Sequence, residues 1–348
     1  MVVTTLQYFR GVAALMVAVY HLNGQTERFG YSGYWPHWAA AGVDLFFVLS
    51  GFLMWAITAE RSQTPAEFFR RRIARIVPLY WAITTVIIAV MLFAPRLMMT
   101  GVFDLGQAVG SYLFVPVPDV YGKLSPVVRV GWTLNIEMMF YLVFAASLFA
   151  PRRFRGLIIA AVVFSIVSIA AVVFPSNKWA VLYASSVWFE FLYGMAVAEI
   201  YRRGYLKNTG AALSWFLLVL GAAALPFTSA HAPLRGVFVG LPAAAIFIGM
   251  LGLDSAARQR PWPWLKLLGD ASYSLYLTHL LSFSVAFQAW RMAGASLSLP
   301  MLWIFIPMAL AWSIAVALLV YSLVEIPLTG YFQSRGRARR HAVGLQSV

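Results

Sequence analysis

The chain has 348 residues, of which 61% are hydrophobic and only 11% charged, with a mean hydropathy of +0.78. Soluble domains run at roughly 45–50% apolar and about 25% charged, so a soluble single-core fold is excluded. A formal charge of +14 would suit nucleic acid in a soluble protein, and only its distribution along the chain decides the matter. No cysteine is present, which removes disulfides, a thiol nucleophile and thiolate metal sites, and no metal is expected.

Apolar runs close to the ~20 residues that cross a bilayer recur throughout. They predict an all-α polytopic bundle of about ten transmembrane helices over residues 1–330, followed by a basic cytoplasmic tail over 331–348. The spans fall near 6–23, 39–59, 77–95, 130–149, 155–174, 180–200, 211–228, 234–253, 270–292 and 300–325. The first run, LQYFRGVAALMVAVYHLN, lacks a basic leader and carries Arg10 and His21 inside it, so it reads as a retained span rather than a signal peptide. With the N-terminus inside, the inner loops and tail hold 18 of the 26 Lys and Arg residues, the outer loops hold seven, and Arg10 lies between. The positive-inside rule then puts both termini in the cytoplasm and makes the span count even. The basic charge is topological, and no nucleic-acid partner is expected.

Two connections carry structure of their own. Residues 60–76 contain TPAEFFRRRIARIVP, in which Thr64 can N-cap, Pro65 suits the first helical position and Glu67 completes a capping box. They predict a short amphipathic helix on the inner leaflet. Residues 96–129 contain VFDLGQAVGSYLFVP, apolar but too short to cross, which predicts an interfacial or re-entrant helix able to roof a cavity.

Ionisable groups at membrane depth cost at least about 2.5–3.5 kcal/mol, so each needs a cavity or a partner. Arg10 and His21 share one helix face about 16 Å apart, with Ala14 and Val17 along the stripe between them. They line a narrow passage with a base at its outer end, or they are a snorkelling arginine and an interfacial histidine. Asp44, in GVDLFFVLSGF, either orients an imidazole base or is a helix-start carboxylate favoured by the dipole. Glu137, in WTLNIEMMFYLVF, lies about 10 Å deep and is expected to face a cavity. Trp132 and Asn135, near it in sequence, are candidates for substrate contact. Glu190 is central and equally suits an ion pair. Asp270 reads as an N-cap, and His279, deeper in the same span, contacts substrate or satisfies a neighbouring helix. Glu325 is expected to pair with an inner-leaflet arginine. Arg72 and Arg75, one turn apart, either hold one anion bidentately or form a lipid-anchoring collar.

Together, LQYFRGVAALMVAVYHL, GVDLFFVLSGF, RIAR, GWTLNIEMMFYLVF, ASYSLYLTHLL and YSLVEIPL, in that order from Leu6 to Leu328, resemble the membrane-bound acyltransferase-3 family. The compact length is most similar to members that O-acetylate bacterial exopolysaccharides. The resemblance implies a cytoplasmic acyl-CoA donor, with acetyl the expected acyl group. It also implies a hydroxyl acceptor on a surface polysaccharide or its lipid-linked precursor, and a multi-pass place in the bacterial inner membrane. Polysaccharide-assembly proteins become candidate partners. It makes Arg10 and His21 catalytic and assigns Arg72 and Arg75 to the donor. Asp44 and Glu137 match motif positions, and either can orient His21. Asn135 departs from what many members carry, which bears on acceptor specificity. The rival is a transporter or flippase, for which the expected inverted repeats are not found.

Overall fold

The computed structural model describes residues 3–60, 63–94, 102–174, 177–183, 185–206, 209–228 and 234–332. All but the start of the expected tail, from 333 on, lies outside the described residues. The chain is a bundle of α-helices: α1 (Thr4–Thr26), α2 (Gly42–Glu60), α3 (Pro65–Phe93), α4 (Leu105–Leu113), α5 (Trp132–Ser147), α6 (Arg152–Val173), α7 (Lys178–Tyr183) and α8 (Trp188–Arg202). It continues with α9 (Ala211–Ala224), α10 (Arg235–Phe238), α11 (Gly240–Gly252), α12 (Asp254–Gln259), α13 (Pro263–Asp270), α14 (Ser272–Met292) and α15 (Leu299–Val320). Among the described residues there is no β-strand.

Six helical segments are long and apolar enough to cross a membrane: His37–Ala59, Pro65–Phe93, Arg129–Ser147, Arg152–Val173, Arg235–Gly252 and Leu299–Phe332. The protein is therefore a multi-pass membrane protein. α1 and α14 have spanning length, at 23 and 21 residues, but are less apolar because they carry Arg10, His21 and His279. α6, α9 and α15 display Leu157, Phe164, Trp215, Val219, Trp303 and Trp312 outward, as a lipid-facing periphery should. α1, α2, α5, α8 and α14 form the packed interior.

Close approach of α2 to α8 depends on glycine. A Cβ at Gly51 would lie 2.1 Å from the Phe191 carbonyl oxygen, and one at Gly194 would lie 1.9 Å from that of Val48. Backbones meet there without side chains between them, as small residues allow in membrane helices.

Two expectations are corrected. The inner-leaflet helix and the third span are one continuous helix, α3, begun by the predicted Thr64 and Glu67 capping box and running through Pro78. Pro78 removes the donor for the Ala74 carbonyl, but Ile76, Val77, Leu79 and Tyr80 are all buried and hold both halves in line. Arg72 and Arg75 thus belong to the bundle rather than to a separate collar. The sixth expected span is divided into α7 and α8, and the Ser186 hydroxyl accepts the Gly236 N–H at 2.7 Å beside the break. That puts Glu190 in the first turn of α8, not mid-helix. The expected interfacial helix is α4, nine residues long and N-capped by Asp104. It packs on α3, and the chain following it walls a cavity.

Candidate active site

α1 carries polar side chains into two separate cavities, and every other candidate can be placed relative to them. The first, about 140 Å³, takes its polar wall from Arg10, Arg72, Arg75, Ser50, Glu137, Tyr141, Ser272, Tyr273 and Tyr276. We call it the arginine cavity. Arg10 reaches the Ser272 hydroxyl through Nε at 3.2 Å and has no carboxylate partner among the described residues. The Arg72 guanidinium stands over the rings of Phe68 and Tyr141, at 5.4 and 5.8 Å, with its buried Nε unpartnered among the described residues. Arg75 is anchored by Glu325 at 2.7 Å, and Glu325 also accepts from the Ser274 hydroxyl at 2.6 Å. The expected pairing of Glu325 with an inner arginine is thus found, on a π-helical turn over Tyr321–Glu325 just before Pro327. Proline clashes with the carbonyl four residues back, and widening the turn relieves that clash.

Glu137 faces this cavity. It accepts from the Ser50 hydroxyl at 2.6 Å and from the Tyr141 hydroxyl one turn on. Thr133, Glu137 and Tyr141 lie four residues apart, so one stripe of α5 supplies the wall.

The second cavity, about 390 Å³, is lined by Tyr20, His21, Asn23, Gln25, Glu27, Arg28 and His37, by Arg129, and by an apolar strip of Ile87, Leu277, Leu280 and Leu281. We call it the histidine cavity. His279 stands behind His21, fully buried, with its Nδ1 3.0 Å from the Leu275 carbonyl and its Nε2 3.1 Å from His21 Nδ1. A carbonyl only accepts, so His279 Nδ1 carries the hydrogen and Nε2 presents a lone pair. His21 Nδ1 faces that lone pair and the Val17 carbonyl at 3.0 Å, two acceptors, and must carry its own hydrogen. The neutral His21 ring is therefore the Nδ1–H tautomer with a bare Nε2, on a side chain that lines the cavity.

The two cavities share no lining residue. Between them lies one layer in which the Tyr276 hydroxyl meets the Thr133 hydroxyl at 2.6 Å and the Val130 carbonyl at 2.9 Å. Phe46 stands edge-on to the Tyr276 ring, and Val17 and Ala14 are buried on α1. Arg10 and His21 thus line two separate cavities rather than one, with this layer between them.

Several expected site residues fall elsewhere. Asp44 does not orient His21: both its oxygens are taken by Arg235, at 2.8 and 2.6 Å, in a buried ion pair. Glu190 is buried beside that pair. Glu137 does not orient His21 either, since it belongs to the arginine cavity; the orienting neighbour is His279. His279 itself lines neither cavity, so the expected direct contact with substrate is replaced by contact with His21. Trp132 packs partly buried against the core, and Asn135 is buried with both amide atoms unpartnered among the described residues. Neither lines either of the two cavities, and Asn135 points away from the stripe of Thr133, Glu137 and Tyr141. Ser50, Tyr141, Tyr273, Tyr276, Arg129 and Arg235 were not singled out from sequence. Only Tyr141, one turn after Glu137, carried a local signal.

Among the described residues, no group of three or more His, Cys, Asp or Glu is placed to hold a metal ion. The fold and its paired cavities define a membrane protein with a polar path buried in an apolar bundle. A family model described as "Acyltransferase domain" matches residues 3–322. The chain belongs to this acyltransferase family. It is 37% identical over 309 residues to the exopolysaccharide production protein ExoZ of Rhizobium meliloti, covering 88% of this chain and 93% of that one. It is 26% identical to the putative peptidoglycan O-acetyltransferase YrhL of Bacillus subtilis, over 78% of this chain and 47% of that one. It is also 26% identical to the peptidoglycan O-acetyltransferase OatA of Listeria monocytogenes, over 80% of this chain and 49% of that one. The chain thus spans about half the length of these two peptidoglycan relatives. No solved structure matches.

Proposed function

We propose that this protein transfers an acyl group, acetyl in the first instance, from cytoplasmic acyl-CoA to a hydroxyl of a surface polysaccharide or its lipid-linked precursor. The observation that carries the reading is α1 itself, which presents a guanidinium to one chamber and an imidazole with a bare nitrogen to the other. In this reading ten helices cross a bacterial inner membrane: the six apolar ones, α1, α14, and the shorter α8 and α9. Both termini lie in the cytoplasm, so the arginine cavity faces the donor side and the histidine cavity the acceptor side.

The chemistry follows from the charges. Arg72 and Arg75 hold the donor phosphates, and Arg10 lies along the path of the pantetheine arm. Carrying the thioester to His21 requires the Tyr276 partition to part. His21 Nε2 takes the proton of the acceptor hydroxyl as its oxygen attacks the thioester carbonyl. The C–O bond forms, the C–S bond breaks, and the proton leaves from His21 to the CoA thiolate. His279, accepting from His21 Nδ1, holds the ring in the tautomer this step needs and faces the imidazolium that forms.

The test is transfer by purified protein in lipid nanodiscs given acetyl-CoA and an oligosaccharide acceptor, with CoA release and sugar acetyl ester both measured. Equal appearance of the two products, lost in His21→Ala protein that still inserts and folds, is the expected result. Normal transfer by His21→Ala protein would overturn the catalytic assignment. Movement of a lipid-linked sugar without CoA release would favour a flippase.

A further inference from the structure

The histidine cavity has polar groups left over once His21 and His279 are accounted for. Arg28 stacks its guanidinium on the Phe287 ring at 4.6 Å, which fixes its plane. One of its terminal nitrogens is buried and has no hydrogen-bond partner among the described residues. Arg129 lines the same cavity, and neither arginine belongs to an ion pair among the described residues. Gln25, at 7% exposure, also lines the cavity and leaves its side-chain carbonyl oxygen buried and unpartnered among the described residues. Glu27 is the one carboxylate in this lining, and it accepts from Asn23 at 3.2 Å.

Buried donors and acceptors without partners are costly to maintain in a protein interior, and two in one chamber mark where a ligand supplies the missing atoms. The unmet groups are of two kinds. Guanidinium N–H groups ask for an anionic oxygen, and a buried amide carbonyl asks for a hydroxyl or N–H donor. Two arginines against one carboxylate also leave the chamber electropositive, a field that draws anions to its mouth. Arg28 and Arg129 flank the cavity from segments far apart in sequence, the turn after α1 and the turn before α5. The fold, not a local charge run, brings them to one chamber.

We propose that the acceptor is an acidic glycan: the sugar hydroxyl to be acylated sits at His21, a second hydroxyl donates to Gln25, and an anionic group close by is held by Arg28 and Arg129. This rests on the reading of the histidine cavity as the acceptor side. The anionic group has two sources of the same chemistry, a carboxylate on the sugar or the phosphate of a lipid carrier.

Three acceptors separate these sources in nanodiscs with acetyl-CoA: an oligosaccharide bearing one uronic acid, its carboxyl-reduced counterpart, and a neutral oligosaccharide on a prenyl diphosphate. Wild-type protein is expected to show a KM at least about tenfold lower for an anionic acceptor than for the carboxyl-reduced one. Arg28→Gln/Arg129→Gln protein should raise that KM by about tenfold while its kcat, and its KM for the carboxyl-reduced acceptor, stay within about twofold. Arg28→Lys, which keeps the charge, should recover part of the difference, so a variant that merely misfolds is recognised. Preference for the uronic acid places the carboxylate at the arginines, and preference for the prenyl diphosphate places the phosphate there. Equal KM values for all three acceptors, unmoved by the double substitution, would overturn the proposal while leaving acyl transfer standing. Absence of CoA release with every acceptor would instead fell the underlying acyltransfer reading.

Discussion

Both cavities take wall residues from α1, α3 and α14, and they meet charge in different ways. In the arginine cavity Arg75 is ion-paired with Glu325 and Arg10 reaches the Ser272 hydroxyl, while Arg72 lies over Phe68 and Tyr141 and keeps a buried Nε unpartnered among the described residues. The histidine cavity is larger and leaves Arg28 and Gln25 with unmet buried atoms. The contrast lies in how charge is met: Arg75 of the arginine cavity has a carboxylate partner and neither arginine of the histidine cavity has one among the described residues, and the proposed division into donor and acceptor sides draws on that difference.

The sharpest way to break this division is at His21. His21→Ala should lower kcat by at least about a hundredfold without raising donor KM, measured as acetyl ester formed by purified protein. A rise in donor KM alone would place His21 on the wrong side of the partition. Next in size is the Asp44 and Arg235 pair, which lines neither of the two cavities. Arg235→Gln should cost about 3–5 kcal/mol of stability by leaving a buried carboxylate uncompensated, and Asp44→Asn in the same protein should restore much of it. Thermal unfolding in detergent reads this, and a double variant no more stable than the single one would refute a purely structural pair.

His279 distinguishes position from contact. His279→Ala should reduce kcat by about ten- to a hundredfold, by analogy with groups that fix a histidine tautomer, with acceptor KM little changed. His279→Gln, whose side-chain oxygen can accept from His21 Nδ1, should retain more activity than the alanine variant. On the other side, Arg72→Ala should raise donor KM by about tenfold with kcat nearly unchanged. The smallest effect is expected at Tyr276→Phe, which removes two hydrogen bonds worth about 1 kcal/mol each and should raise acceptor-free breakdown of the thioester severalfold.

Much of this architecture is legible in the amino-acid sequence. The apolar runs, the Thr64 capping box, the α4 segment and the common face of Arg10 and His21 all follow from local periodicity or local capping chemistry. The two orienting assignments to Asp44 and Glu137 failed for a different reason. Helical spacing says which residues share a face of one helix, but not which helix that face meets. Asp44 meets Arg235, 191 residues away, and His21 meets His279, 258 residues away. Pairings of that range are decided by tertiary packing, and a single sequence carries no local trace of them. The separate helix expected over 60–76 failed for a similar reason: burial of Ile76, Val77, Leu79 and Tyr80 on both sides of Pro78 keeps α3 continuous despite the lost hydrogen bond.

The thin layer at Tyr276 has one more consequence. In the proposed orientation a polar chamber enters from each face of the membrane, so Tyr276, Thr133, Val130 and Phe46 are what insulates one compartment from the other. Each elementary charge that leaked through would dissipate about 2.3 kcal/mol per 100 mV of membrane voltage. The plug must then yield to an uncharged acyl arm and refuse protons and ions, so an energised membrane sets an upper limit on how loosely it can be packed.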